Sequence, residues 1–185
     1  MDFLVTISFD LIIFVIIFHF LLELMGTHYH HPVRQLILRY TRPLLDPLHK
    51  IFPNYRNIDL GLLFLLFLLE NIKLLLLLLL TWQFPNLALL FLWSIFLLIN
   101  TFINFYFFAV LFRLLISWVI PIYSNHPATQ LLFLFTEPLL KPIRRRLPTI
   151  KGFDWTPIIV IIGLKILTML VTYTLMLLNA PAIIL

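Results

Sequence analysis

Four long apolar runs leave this chain little choice of fold. Residues 3–25, 60–80, 87–120 and 158–178 are each almost entirely aliphatic or aromatic, and each reaches or exceeds the ~20 residues that cross a bilayer core as a helix. Charged residues make up 11% of the chain against about 25% in soluble domains, so ordinary globular burial cannot absorb this much apolar surface. No run alternates as a barrel strand would. The expected fold is all-α: a polytopic helical membrane protein of four spans. The first run is expected to be retained, because Asp2 stands where a cleavable signal carries positive charge and no small-x-small site follows. With no cysteine present, disulfides, thiolate metal sites and cysteine nucleophiles are excluded.

Between the runs the chain repeats itself. At a constant offset of 95, His31 aligns with His126, Pro32 with Pro127, Gln35 with Gln130 and Thr41 with Thr136. Pro43, Pro47, Pro53 and Asp59 then align with Pro138, Pro142, Pro148 and Asp154. Leucine matches are cheap in this composition, but four aligned prolines and an aspartate are not. The organisation expected is two repeats of like orientation, 1–86 and 87–185, each reading span, basic proline-rich loop, span. The loops are 26–59 and 121–156, and together they hold ten of the 13 Lys/Arg. By the positive-inside rule both loops face the cytoplasm and both termini the opposite side of the membrane. The third run, 34 residues or roughly 50 Å as a helix, fits this scheme as one long tilted or kinked helix. Two short spans broken near Asn100 and Asn104 would put the second loop on the wrong side.

Prolines spaced four and six apart predict short helical pieces joined by bends. In the first loop Leu44, Leu45, Leu48 and Phe52 form an apolar set beside His49, Lys50 and Arg56. In the second, Leu139, Leu140, Ile143 and Leu147 stand beside Lys141, Arg144, Arg145, Arg146 and Lys151. Such segments lie in the headgroup region with the basic side toward anionic lipid, or offer that side to an acidic protein partner. Nucleic acid is disfavoured, since Arg144–Arg146 is a short run with no reading module around it. Thr41 and Thr136, each two residues before a proline, read as helix N-caps. Asp59 and Asp154 read as caps of the spans that follow.

Charges within spans are functional hypotheses by default. Glu23 and Arg113 lie near span ends, where snorkelling suffices; Arg113 shares a face with Ser117, and His19 with Glu23. Glu70 and Lys165 occupy aligned mid-span positions and are expected to pair inside the bundle, either with each other or, for Glu70, with Lys73 at i,i+3. A conducting path through these groups, Asn100 and Asn104 has no broken-helix pair or filter-like loop to support it. Enzyme signals are absent: no catalytic residue, cofactor or metal site emerges. The His28, His30 and His31 cluster lacks a second ligand set, and four glycines build no phosphate loop.

One string carries a family resemblance: Arg113-x-x-x-Ser117-Trp118, then His126-Pro127, Thr136-Glu137-Pro138-Leu139-Leu140-x-Pro142-Ile143-Arg144-Arg145, Pro148, Gly152-x-Asp154-x-x-Pro157. It resembles the signature of the YggT (YlmG) family, small integral membrane proteins of bacteria and plastids, in its two-copy proteobacterial form. The first copy departs from it, with Phe18, Leu22 and Glu23 where the second has Arg113, Ser117 and Trp118, and His49 where the second has Arg144. The second copy itself carries His126 where the family usually has asparagine. The resemblance implies a non-enzymatic scaffold or assembly factor of the bacterial inner membrane, its termini in the periplasm, with ties to osmotic-stress tolerance and to division or complex biogenesis; self-association into a homo-oligomer is compatible with it. The competing class is a component of ion transport or potassium homeostasis.

Overall fold

The computed structural model describes residues 2–25, 32–50, 52, 58–82, 86–119, 127–146 and 154–181. Six helices follow in order: α1 (Asp2–Leu24), α2 (Pro32–His49), α3 (Leu60–Leu80), α4 (Leu87–Val119), α5 (Pro127–Arg144) and α6 (Thr156–Leu177). No β-strand occurs among the described residues. Four helices are long and apolar enough to cross a membrane: α1, α3, α4 and α6. The fold is therefore the expected all-α membrane architecture, and the third apolar run forms one helix of 33 residues rather than two.

The chain divides into two compact units. One holds Met1–Thr101 and Thr174–Leu185, the other Phe102–Tyr173, so the boundary falls within α4 and again within α6. In the first unit α1 packs chiefly on α3. Ile13, Ile16, Ile17, Phe20 and Leu21 form its buried stripe, the i, i+3, i+4, i+7 spacing of one helix face. The facing stripe of α3 runs through Leu62, Leu65, Leu66, Leu74 and Leu77, and Glu70 and Lys73 are buried within it. The outer face of α1, including Phe3, Leu4, Leu11 and Phe14, is exposed, as a lipid-facing surface requires. In the second unit Val110 of α4, Leu140 of α5 and Val160 and Leu164 of α6 make the core, with Tyr106, Phe107 and Leu139 packed around them.

The proline-rich segments depart from expectation. Each is a continuous helix of 18 residues, running through Pro43 and Pro47 in α2 and through Pro138 and Pro142 in α5. A proline deletes one i→i−4 bond and crowds one carbonyl. Two prolines four residues apart place both defects on the same face. Pro138 and Pro142 are exposed, so the damage falls on the outer face while the ladder on the packed face continues. Both helices open on a proline, Pro32 and Pro127, the first-turn position where a missing N–H costs nothing. Thr41 and Thr136 consequently lie inside helices rather than at their starts, and they cap neither.

Candidate functional site

In the second unit a chain of charged groups ties three helices together. Arg113 of α4 is buried, and its guanidinium donates from Nη1 to Thr136 Oγ1 at 2.7 Å and from Nη2 to Glu137 Oε2 at 2.8 Å. Phe133 covers the same guanidinium, its ring centroid 4.1 Å from Cζ. Glu137 and Arg144 are two turns apart on one face of α5, and Arg144 Nη1 donates to Glu137 Oε1 at 3.0 Å. Arg144 Nε then reaches Asp154 Oδ2 at 2.9 Å. The other oxygen of Asp154 accepts the Thr156 N–H at the start of α6, at 3.0 Å. Guanidinium groups suit this work because their planar fork can bond two acceptors at once. Arg113 thus does not snorkel outward as expected: Thr136 and Glu137 supply polar partners inside the packing.

Thr136 explains part of the local order. Its hydroxyl accepts from Arg113 and donates to the Leu132 carbonyl at 2.6 Å, so both functions of the hydroxyl are used in a fully buried position. Burial alone would push the Asp154 carboxyl up, but hydrogen bonds from Thr156 and the neighbouring Arg144 guanidinium outweigh it and hold the group below its ordinary 3.8.

The first unit carries two separate pairs at nearly the same positions. Buried Thr41 donates to the Ile37 carbonyl at 2.8 Å, and its Oγ1 lies 3.1 Å from Nδ1 of buried His19 in α1. The hydroxyl has one proton, already given to Ile37, so His19 Nδ1 is the donor. At the other end of α2, His49 Nε2 meets Asp59 Oδ2 at 2.8 Å. Asp59 caps α3, its Oδ1 accepting from the Leu62 N–H at 3.1 Å. Gly61 admits the imidazole, since a Cβ there would stand 2.9 Å from His49 Cδ2. At an offset of 95, His49–Asp59 corresponds to Arg144–Asp154 and Thr41 to Thr136. The donor to the threonine is displaced by one residue: Arg113 aligns with Phe18, whereas the group in use is His19. Glu137 aligns with Arg42, so the carboxylate that joins the two ends in the second unit has no sequence counterpart in the first.

Other sequence-derived candidates fall outside these networks. Ser117 is exposed and donates to the Leu114 carbonyl. Pro138 and Pro142 are exposed on α5 and Arg145 is exposed just past its end, while Pro157 is buried in the first turn of α6. Trp118 and Pro127 lie in helices but their side chains are outside the described residues, as are Pro148, Gly152 and the histidine cluster 28–31 altogether. The two mid-span charges each have a partner in their own unit: Glu70 Oε1 lies 2.7 Å from Lys73 Nζ, and Lys165 Nζ sits 4.3 Å from the centroid of Phe107. Two participants were not foreseen from sequence. Asp10 receives Lys73 Nζ at 3.0 Å, and His19 bonds Thr41. A polar residue recurring inside the first apolar run was the available signal for both.

The chain matches the family described as CCB3/YggT over residues 1–80 and again over 92–175. The chain belongs to the CCB3/YggT family. The first CCB3/YggT match contains His19, Thr41, His49 and Asp59, and the second contains Arg113 through Asp154. Among relatives, the uncharacterized protein PA0392 of Pseudomonas aeruginosa is 35% identical over 170 residues, covering 88% of this chain and 83% of its own length. An uncharacterized protein encoded in the proC 3′ region of Vibrio alginolyticus is 32% identical, covering 89% of each chain. The uncharacterized protein YggT of Escherichia coli K12 is 28% identical over 141 residues, covering 76% of this chain and 72% of its own. No solved structure matches. Among the described residues of this CCB3/YggT member no group of three or more His, Cys, Asp or Glu is placed to hold a metal ion. What the arginine and carboxylate chain can do is hold α5 in a fixed pose on α4 and α6.

Proposed function

We propose that this protein is a non-enzymatic scaffold or assembly factor of the bacterial inner membrane, built from two duplicated halves, whose second basic helix docks an acidic protein partner at the cytoplasmic face. The observation that carries this reading is the division of labour among the cations of α5. Arg144 is engaged by Glu137 and Asp154, whereas Lys141, Arg145 and Arg146 are exposed. The engaged arginine positions the helix; the exposed cations are available to a partner. A basic surface of this kind also attracts anionic headgroups at about 1 kcal/mol per residue, which would keep the helix at the membrane surface where a partner meets it. Ties to osmotic-stress tolerance, division or complex biogenesis follow the family resemblance and enter as the setting of that docking.

The test is site-specific photocrosslinking in cells from positions 141, 145 and 146. The expected result is one defined protein adduct, lost when the three cations are changed together to glutamine. Adducts to lipid alone overturn the docking of a protein. Potassium or proton flux through the purified chain in liposomes overturns the scaffold reading in favour of ion transport.

A further inference from the structure

The first unit contains a charge cluster that no part of the docking reading uses. Asp10 of α1, Glu70 and Lys73 of α3 meet at one ammonium nitrogen: Nζ of Lys73 lies 3.0 Å from Asp10 Oδ1 and 2.7 Å from Glu70 Oε1. Glu70 is the central residue of α3, ten residues from either end, which places it roughly 15 Å from each. Its side chain is wholly buried, and Oε2 has no hydrogen-bond partner among the described residues. Asp10 is about half exposed. Among the described residues, the other elements of the unit bring no further charge to this level. Within 87–101 of α4 and in residues 174–181 there is no ionisable side chain. Helix α2 meets α3 through His49 and Asp59, at the α3 N-terminus. Glu23 and His19 lie toward the opposite end of α1.

Two carboxylates therefore share one ammonium inside the membrane. Fully ionised, the cluster carries one uncompensated negative charge, with a buried oxygen that receives no donor. Leaving such a charge unpaired in an apolar interior is costly. One bound proton neutralises the cluster and replaces a bare charged acceptor by a neutral hydroxyl, whose burial costs far less. A metal cation is a poor alternative, because the Lys73 ammonium already occupies the point between the carboxylates where such an ion would sit.

We propose that Asp10, Glu70 and Lys73 form an intramembrane proton-binding site, in which the carboxylate pair holds one proton drawn from water while the lysine remains charged. The proton belongs to the pair and not to one residue. The reaction is protonation of a carboxylate to a carboxylic acid; no other bond changes. Asp10 is the half-exposed end of the pair and Glu70 the buried end.

Infrared spectroscopy of the full chain in dodecyl maltoside, which has no carbonyl of its own, reads this directly. At neutral pH the folded protein should show the carbonyl stretch of about one protonated carboxyl per chain, shifting in D2O. Glu70→Gln and Asp10→Asn should each abolish it, since one carboxylate then balances one ammonium. Lys73→Met should roughly double it. Absence of the band from the folded wild-type chain overturns the proposal without recourse to any variant. So does a band that survives both carboxyl substitutions, or one that sodium or potassium removes at fixed pH. These outcomes are independent of whether α5 crosslinks to a partner.

Discussion

The aligned loop helices α2 and α5 have the same length and the same proline spacing, yet they are fastened differently. In the second unit Arg113, Glu137, Arg144 and Asp154 form one continuous ionic chain. In the first, His19–Thr41 and His49–Asp59 are separate contacts, and both use imidazole where the second uses guanidinium. A guanidinium fork bonds two acceptors at once, which is what makes the second network continuous. The lesson is that one backbone plan accepts either guanidinium or imidazole as the fastening, provided a threonine and a capping aspartate stay in place.

Removing Arg113 should break the comparison most sharply. Arg113→Met takes the guanidinium donor from buried Thr136 and from Glu137 Oε2, and should destabilise the chain by about 2–3 kcal/mol in detergent unfolding titrations. The corresponding His19→Leu should cost less, about 1 kcal/mol, because its bond to Thr41 involves no carboxylate. Equal effects would mean that the ionic chain adds nothing over the isolated pair.

Next in size are the capping aspartates. Asp59 is 3% exposed and Asp154 36%, so Asp59→Ala should cost about 2 kcal/mol and Asp154→Ala about 1 kcal/mol. Acid separates them further. The Asp154 carboxyl is held below its ordinary 3.8, so its contribution is complete above that value and disappears as the pH falls through the lower folded-state value. The stability difference between wild type and Asp154→Asn, followed from neutral pH into acid, should therefore shrink to nothing only in strong acid.

The smallest effect is expected at Gly61. An alanine there adds helix propensity worth up to about 1 kcal/mol, but its Cβ would stand 2.9 Å from His49 Cδ2. The imidazole end must move away from Asp59, leaving a net change within about 0.5 kcal/mol. In a His49→Ala background the closest clash is gone and only Asp59 Oδ1, 3.1 Å from such a Cβ, remains tight, so Gly61→Ala should shift toward stabilising. A double-mutant cycle measures that shift.

Much of this architecture was legible in the sequence because the bilayer imposes a simple length rule. The four spans could be placed within a few residues, and the prolines and aspartates marked the two loops. The sequence misled where a local rule was applied singly. Each proline forbids a helix bond at its own position, but Pro138 and Pro142 share an exposed face and the helix survives. Thr41 and Thr136 looked like caps because their neighbours were read without the turn before them. The bond from His19 to Thr41 was not legible because a constant offset pairs Arg113 with Phe18, and the donor had moved one residue along. Asp10 was hidden for a related reason: its aligned position is Phe105, so no symmetry drew attention to it.

The contact between Asp10 and Lys73 also bears on how the chain enters the membrane during synthesis. Helix α3 carries Glu70 and Lys73 as neighbours on one face and can screen its own charges while inserting. Helix α1 has no such arrangement around Asp10, and an unpaired carboxylate at a span centre disfavours insertion by roughly 2.5–3.5 kcal/mol. Its partner is encoded 63 residues later. The first helix made is therefore at a disadvantage in lipid until the third segment arrives beside it, and the order of translation becomes part of how this fold is assembled.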